Sequence, residues 1–274
     1  MLALAFTRPT VCSTRQRGLA VLLSALAVLL PLAATAQPAT AAAPAQTLVA
    51  VAANFAEVVE RLKPGFEAAT GHRLRATTGS TGKLYAQIIA GAPFDVLLSA
   101  DTATPARLEN EGAAVAGSRF TYAVGRLALW SARPGMVAAD GRATLQAGNF
   151  RHLAMANPDL APYGVAAREV LQATGTWQAL QRRLVMGQNI GQTHSMVATG
   201  AAEVGFVALS AVQRPGVAPI GSAWTVPQAL YTPLRQDAVL LRHGAANPAA
   251  RAWLDYLRTP AARQLIQAHG YGLD

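Results

Sequence analysis

From residue 48 onward the chain alternates short apolar runs with stretches of helical period. Residues 48–52 read as a short strand, and the segment that follows places Phe55, Val58, Val59, Leu62 and Phe66 on one helical face, with a kink expected at Pro64. Residues 74–78 predict a second strand and 84–89 a second helix. The run at 94–98 is continuously apolar, the pattern of a strand buried on both faces of a parallel sheet. Residues 102–111 then read as a helix that Asp101 can cap. Further strands are predicted at 123–130, 152–156, 204–207 and 238–241, and further helices at 164–173, 177–182, 192–199 and 249–257. This alternation predicts an α/β fold with mostly parallel sheets. No internal repeat is visible in the sequence.

Upstream of residue 47 the pattern changes. Arg8, Arg15 and Arg17 precede an apolar run from Leu19 to Leu32, and Ala34-Thr35-Ala36 reads as a cleavage motif before Gln37. Residues 1–36 are therefore expected to be an export signal that is removed. An uncleaved membrane anchor is the competing reading, against which stand Pro31, the small-residue exit and the lack of a basic flank after the run. Residues 37–46, rich in Ala and Pro, are expected to be a disordered linker. The single cysteine, Cys12, precedes the apolar run, so the mature chain is expected to carry no thiol, disulfide or cysteine metal site.

Composition narrows the partners. The 274 residues include 23 basic and 14 acidic side chains, and the signal takes three arginines and no acid, leaving 20 against 14. Those arginines are scattered, with no basic face interleaved with aromatics, so a nucleic-acid partner is not expected. The 52% apolar content suffices for one compact unit or for two lobes.

Four strand-to-helix junctions carry candidate chemistry. Ala52-Ala53-Asn54-Phe55 and Thr78-Gly79-Ser80-Thr81-Gly82-Lys83 lie in the first third of the chain. Asn157-Pro158 through Pro162-Tyr163-Gly164 and Gly187-Gln188-Asn189-Ile190-Gly191 follow later. A helix start exposes unpaired N–H groups and a partial positive charge, which suits an anion. Ordinary capping by Ser80 or Asn54 also accounts for either early junction taken alone. The second junction fails as a nucleotide loop, because Thr77 stands where the first Gly of a P-loop belongs and Leu84 where Ser or Thr belongs.

Together these junctions resemble the periplasmic molybdate-binding proteins of ABC transporters, and the similarity extends from Thr47 to the C-terminus. Its most specific segments are Ala52-Ala53-Asn54-Phe55, Gly79 through Leu84, Ala90 through Val96 with Ser99-Ala100-Asp101, and Ala156-Asn157-Pro158 with Ala161-Pro162-Tyr163-Gly164. Glu203 through Ala208 and the closing His269-Gly270-Tyr271-Gly272 also fit. The resemblance implies a two-lobed periplasmic-binding-protein fold, each lobe a mostly parallel sheet flanked by helices, joined by a two-strand hinge. Lobe 1 would hold 47–122 and 232–274, and lobe 2 residues 123–231. It implies a monomer without cofactor that binds molybdate or tungstate and docks on a membrane permease driven by an ATPase. Carried over by position, the contacts would be Ala53 (backbone), Asn54 (side chain), Ser80, Tyr163 (hydroxyl) and Ile190 (backbone). Relatives often carry Ser at position 54 and a Tyr at position 208, where this chain has Asn54 and Ala208.

None of these positions is acidic, which suits a fully deprotonated dianion and disfavours phosphate, which keeps a proton. Sulfate or another small anion remains the alternative ligand. Lys83 reads as a solvated lysine adding long-range attraction, with direct contact as the competing role. A hydrolase would need Ser80, Ser99 or Ser195 beside a histidine, yet no G-x-S-x-G elbow and no paired-histidine zinc spacing occurs. An enzyme is not expected.

Overall fold

The computed structural model describes residues 44–273. The expected signal and most of the expected linker lie outside them. The strands are β1 (Gln46–Ala52), β2 (Arg73–Gly79), β3 (Val96–Leu98), β4 (Phe120–Gly125), β5 (Leu127–Ser131), β6 (Leu153–Ala156), β7 (Leu184–Gly187), β8 (Val204–Ala208), β9 (Ser222–Thr225) and β10 (Leu234–Leu240). The helices are α1 (Ala56–Thr70), α2 (Thr81–Ile89), α3 (Ala103–Asn110), α4 (Gly141–Ala147), α5 (Pro162–Ala173), α6 (Trp177–Leu180), α7 (Ile190–Ala198), α8 (Leu209–Val212), α9 (Pro248–Leu257) and α10 (Pro260–Ala268).

Two five-stranded sheets result, ordered β2-β1-β3-β10-β4 and β7-β6-β8-β5-β9. In the first, β2, β1 and β3 pair in parallel and β10 runs antiparallel to both β3 and β4. In the second, β7, β6 and β8 are parallel and β5 is reversed between β8 and β9. Each sheet thus has four strands in one direction and a single reversed strand second from the edge. With β6 matched to β1, β7 to β2 and β8 to β3, the second sheet repeats the first, a symmetry that no sequence repeat announces. The fold is two-lobed, as the resemblance implies.

The chain passes from β4 in the first sheet to β5 in the second across the single residue Arg126, and returns as β10, which lies against β4 with Leu234 opposite Gly125. The one strand expected at 123–130 is therefore two strands in different sheets. The run reads as one strand because β5 is wholly buried and β4 ends in apolar residues, so that only Gly125-Arg126 marks the crossing. A second correction concerns the linker: Gln46 is already in β1, opposite Arg73, so the ordered fold starts inside the stretch expected to be disordered.

Local chemistry sets the element ends that matter for the site. Helix α1 buries Val58, Val59, Leu62 and Phe66, runs through Pro64, and stops at Gly71, whose left-handed φ of 70° lets its N–H cap the Glu67 carbonyl. Phe66 packs edge-on against Trp253 of α9. Helix α2 starts at Ser80, whose hydroxyl accepts from the Lys83 amide, and α7 starts at Asn189, whose side chain accepts from the Gln192 amide. Helix α3 begins one residue later than expected, at Ala103 with Thr102 at the N-cap, and the Asp101 carboxylate still accepts from the Thr104 amide just inside it.

Candidate binding site between the lobes

The symmetry of the sheets places the candidate residues. Asn54 follows the carboxyl end of β1 and Ser80 that of β2, while Tyr163 follows β6 and Ile190 follows β7. These are the equivalent strands of the two lobes, and crevices at carboxyl strand ends are where open α/β sheets hold ligands. Every candidate also stands at a helix start. Ala53 and Asn54 form a single 3-10 turn ahead of α1, Ser80 is the N-cap of α2, Tyr163 is the second residue of α5 after Pro162, and Ile190 is the first of α7. N–H groups in such first turns have no acceptor within their own helix.

The lobes meet around this place. The Gly82 amide donates to the Leu160 carbonyl at 2.9 Å, and the Ser210 hydroxyl donates to the Tyr271 hydroxyl at 3.0 Å. Arg214 pairs with Glu57 at 3.2 Å, and Lys83 reaches Gln188. A Cβ added at Gly191 would come within 3.7 Å of the Ala53 methyl group, so the start of α7 faces the turn before α1. A cavity of about 70 Å³ lies between these two turns, lined among others by Ala53, Asn54, Ile190, Gly191, Ala208 and Ser210. Ser80 and Tyr163 do not line it. They are buried nearby, at 2% and 1% exposure.

Sequence reading assigned the Asn54 side chain as a direct donor. In the structure both its N–H groups are taken, one by the Gln236 carbonyl oxygen at 2.8 Å and one by the Tyr271 hydroxyl at 3.2 Å, and its buried Oδ1 has no partner. The donors left at this corner are main-chain N–H groups of the turn. Tyr163 is different. Its hydroxyl accepts from the Gln236 amide at 3.2 Å, and among the described residues no acceptor takes its own proton. Burial pushes the Tyr163 hydroxyl well above the ordinary tyrosine range, with the nearby Tyr271 adding to the shift, so it remains a proton donor. Tyr271, also buried, is pushed up to about 12. The Ser80 hydroxyl accepts from Lys83 and likewise keeps its proton to give. Lys83 is exposed and lies across the seam on Gln188.

Sequence reading missed Gln236, which is fully buried on β10 and touches both Asn54 and Tyr163. It also missed Gly125 on β4, where an added Cβ would overlap the Tyr163 hydroxyl and the Gln236 amide nitrogen. The available signal was a polar pair, Gln236-Asp237, just ahead of the apolar run at 238–241.

A larger groove of about 370 Å³ follows another part of the seam, lined by Gly82, Asp101, Asp159, Leu160, Glu169 and Thr232 among others. Its three acids and the lack of any candidate contact residue set it apart from an anion site. The serines considered for catalysis are engaged without a histidine: Ser99 donates to Asp101, Ser195 to the Gly191 carbonyl, and Ser80 accepts from Lys83.

Comparison with known proteins places the chain. Residues 47–272 match the family described as bacterial extracellular solute-binding protein. A relative from Azotobacter vinelandii named molybdate-binding protein ModA is 53% identical over 223 residues, covering 81% of this chain and 88% of that one. One of the same name from Rhodobacter capsulatus is 48% identical, covering 81% and 86%. The solved structure of the Azotobacter vinelandii periplasmic molybdate-binding protein superposes with a TM-score of 0.81 at 41% identity, covering 83% of this chain and 99% of that one. The chain belongs to the bacterial extracellular solute-binding proteins and groups there with proteins named for molybdate binding.

Proposed function

We propose that this protein is the substrate-binding component of an ABC importer and captures molybdate, with tungstate as the near equivalent, in the cleft between its lobes. The observation that carries the reading is the convergence of helix starts from equivalent strands of both lobes. They offer main-chain N–H groups at Ala53, Asn54 and Ile190 and the unspent hydroxyl protons of Ser80 and Tyr163. Molybdate, tungstate and sulfate at neutral pH carry no proton and only accept hydrogen bonds. A set of neutral donors matches them, and burial between lobes makes each bond count for more.

On this reading residues 47–122 and 232–274 form one lobe and 123–231 the other. The anion bridges them and stabilises the closed form. The closed protein, a monomer, then docks on a membrane permease driven by an ATPase. The protein works in the periplasm after residues 1–36 are removed, and it performs no catalysis. Its kinship with proteins named for molybdate supports this ligand over sulfate.

The test is calorimetric titration of the chain from Gln37 with molybdate, tungstate, sulfate and phosphate. Tight one-to-one binding of the first two, with sulfate far weaker, is expected. Silence toward molybdate and tungstate would sink the assignment. Preference for sulfate would leave the fold and site and replace the ligand.

A further inference from the structure

We infer that Gln236 is a positioning residue that commits the Tyr163 hydroxyl to donating toward the bound anion, an inference that rests on Tyr163 being a contact as proposed above. The direction of each hydrogen bond follows from the one before it. Tyr271 has a single hydroxyl proton and gives it to the Asn54 main-chain carbonyl at 2.6 Å. Its oxygen can then only accept, which it does from Ser210 and from the Asn54 side-chain amide. That turns the Asn54 amide so that its nitrogen also faces Gln236, and Gln236 must answer with its carbonyl oxygen. The Tyr122 hydroxyl lies 3.0 Å from this oxygen and 3.0 Å from the Ser99 carbonyl, so its single proton can serve either acceptor, and the orientation of Gln236 is set from the Asn54 side.

The other end of the Gln236 amide is then the NH2 group, and it points at Tyr163. A hydroxyl that accepts from an amide keeps its own proton for a different acceptor. Were Gln236 reversed, its carbonyl would take the Tyr163 proton, and a dianion beside that oxygen would face lone pairs. Gln236 lies on β10, the hinge strand, and is fully buried, so no water competes for either end of its amide. A neutral residue that touches no ligand thus sets the polarity of one that does.

The experiment uses the mature chain and calorimetric titration with sodium molybdate on four proteins: the unaltered protein, Gln236→Met, Tyr163→Phe and the double variant. Gln236→Met is expected to weaken binding about tenfold, the worth of one charge-assisted hydrogen bond. In the Tyr163→Phe background the same change is expected to alter affinity less than about twofold, because the group it acts through is gone. Equal penalties in both backgrounds, or an unchanged Gln236→Met, would overturn the inference while leaving the proposed function standing.

Gln236→Glu provides a second route if the methionine variant does not fold. A protonated carboxyl reproduces the donor and acceptor ends of the amide, whereas a carboxylate takes the Tyr163 proton and adds negative charge. Its affinity relative to the unaltered protein at the same pH is expected to fall steadily from about pH 5.5 to about pH 8. A ratio independent of pH would overturn the inference. If the unaltered protein ignores molybdate, the proposed function fails first and takes this inference with it.

Discussion

Gly125 and Tyr163 are in contact across the hinge, and the glycine leaves the room in which the tyrosine hydroxyl sits beside Gln236. Its φ is not in the left-handed region, so the requirement here is space and not backbone freedom. Adding a methyl group must push both polar groups aside. Gly125→Ala is expected to destabilise the fold by about 1–3 kcal/mol. Molybdate affinity should fall more than in any equally destabilised variant away from the hinge. Thermal melts paired with titration separate the two effects, and full affinity in Gly125→Ala would refute the packing argument.

Ser80 and Tyr163 should differ in how their loss divides between affinity and stability. Each offers one hydroxyl proton, so Ser80→Ala and Tyr163→Phe should each weaken molybdate roughly 10- to 100-fold. Ser80 also caps α2, and its replacement should remove roughly 0.5–2 kcal/mol of stability as well. Denaturant titration of the ligand-free variants would show the extra loss in Ser80→Ala.

Lys83 is expected to matter for rate and hardly for affinity. It is exposed and reaches Gln188 across the seam, and such surface contacts are worth up to about 1 kcal/mol. In Lys83→Ala the equilibrium affinity should change less than about fivefold, and association should slow at low salt and converge with the unaltered protein at high salt. Stopped-flow measurement across ionic strength checks this. A hundredfold loss of affinity would instead make Lys83 a direct contact.

Glu203, at the end of the second sheet away from the site, is expected to make part of the stability pH-dependent. Burial alone would raise its carboxyl, but the His152 amide at 3.0 Å and Arg151 at 3.0 Å overcome that and hold it down to about 2. Because the folded value is depressed, the carboxylate stabilises the protein above the usual value of 4.5, and that contribution is lost as pH falls toward about 2. Glu203→Gln should cost about 1–3 kcal/mol at neutral pH. It should also flatten the decline in stability between those two values, with molybdate binding at neutral pH unchanged.

The helix starts were legible in the sequence because their chemistry is local. Small residues and hydroxyls between an apolar run and a helical face, as at Gly79-Ser80-Thr81-Gly82, identify a junction whatever surrounds it. The hinge was not legible, because its signals are non-local. The first half of β10 reads as a loop, since Arg235, Gln236 and Asp237 interrupt the apolar pattern. Gln236 is buried only because Asn54, Tyr122 and Tyr163 come to it from distant segments, and Asp237 because Arg119 and Thr121 do. Periodicity likewise could not divide 123–130 between two sheets, since two buried strands joined by one residue look like one longer strand. Short β7 and β9, and helices α4 and α10, also escaped, the strands because both are edge strands with a single buried position each and so carry no continuous apolar run.

The placement of β10 has an outcome for biogenesis. All five strands of the second sheet lie between Leu127 and Thr225 and can pair as soon as that span is available. The first sheet has a gap between β3 and β4 that only residues 234–240 fill, more than a hundred positions further along the chain. Its closure must wait for the late segment, so the second lobe can mature while the first stays incomplete. The segment that completes the first sheet also delivers Gln236. Ligand capture is therefore expected to follow closure of this sheet, and binding would report that β10 has reached its place between β3 and β4.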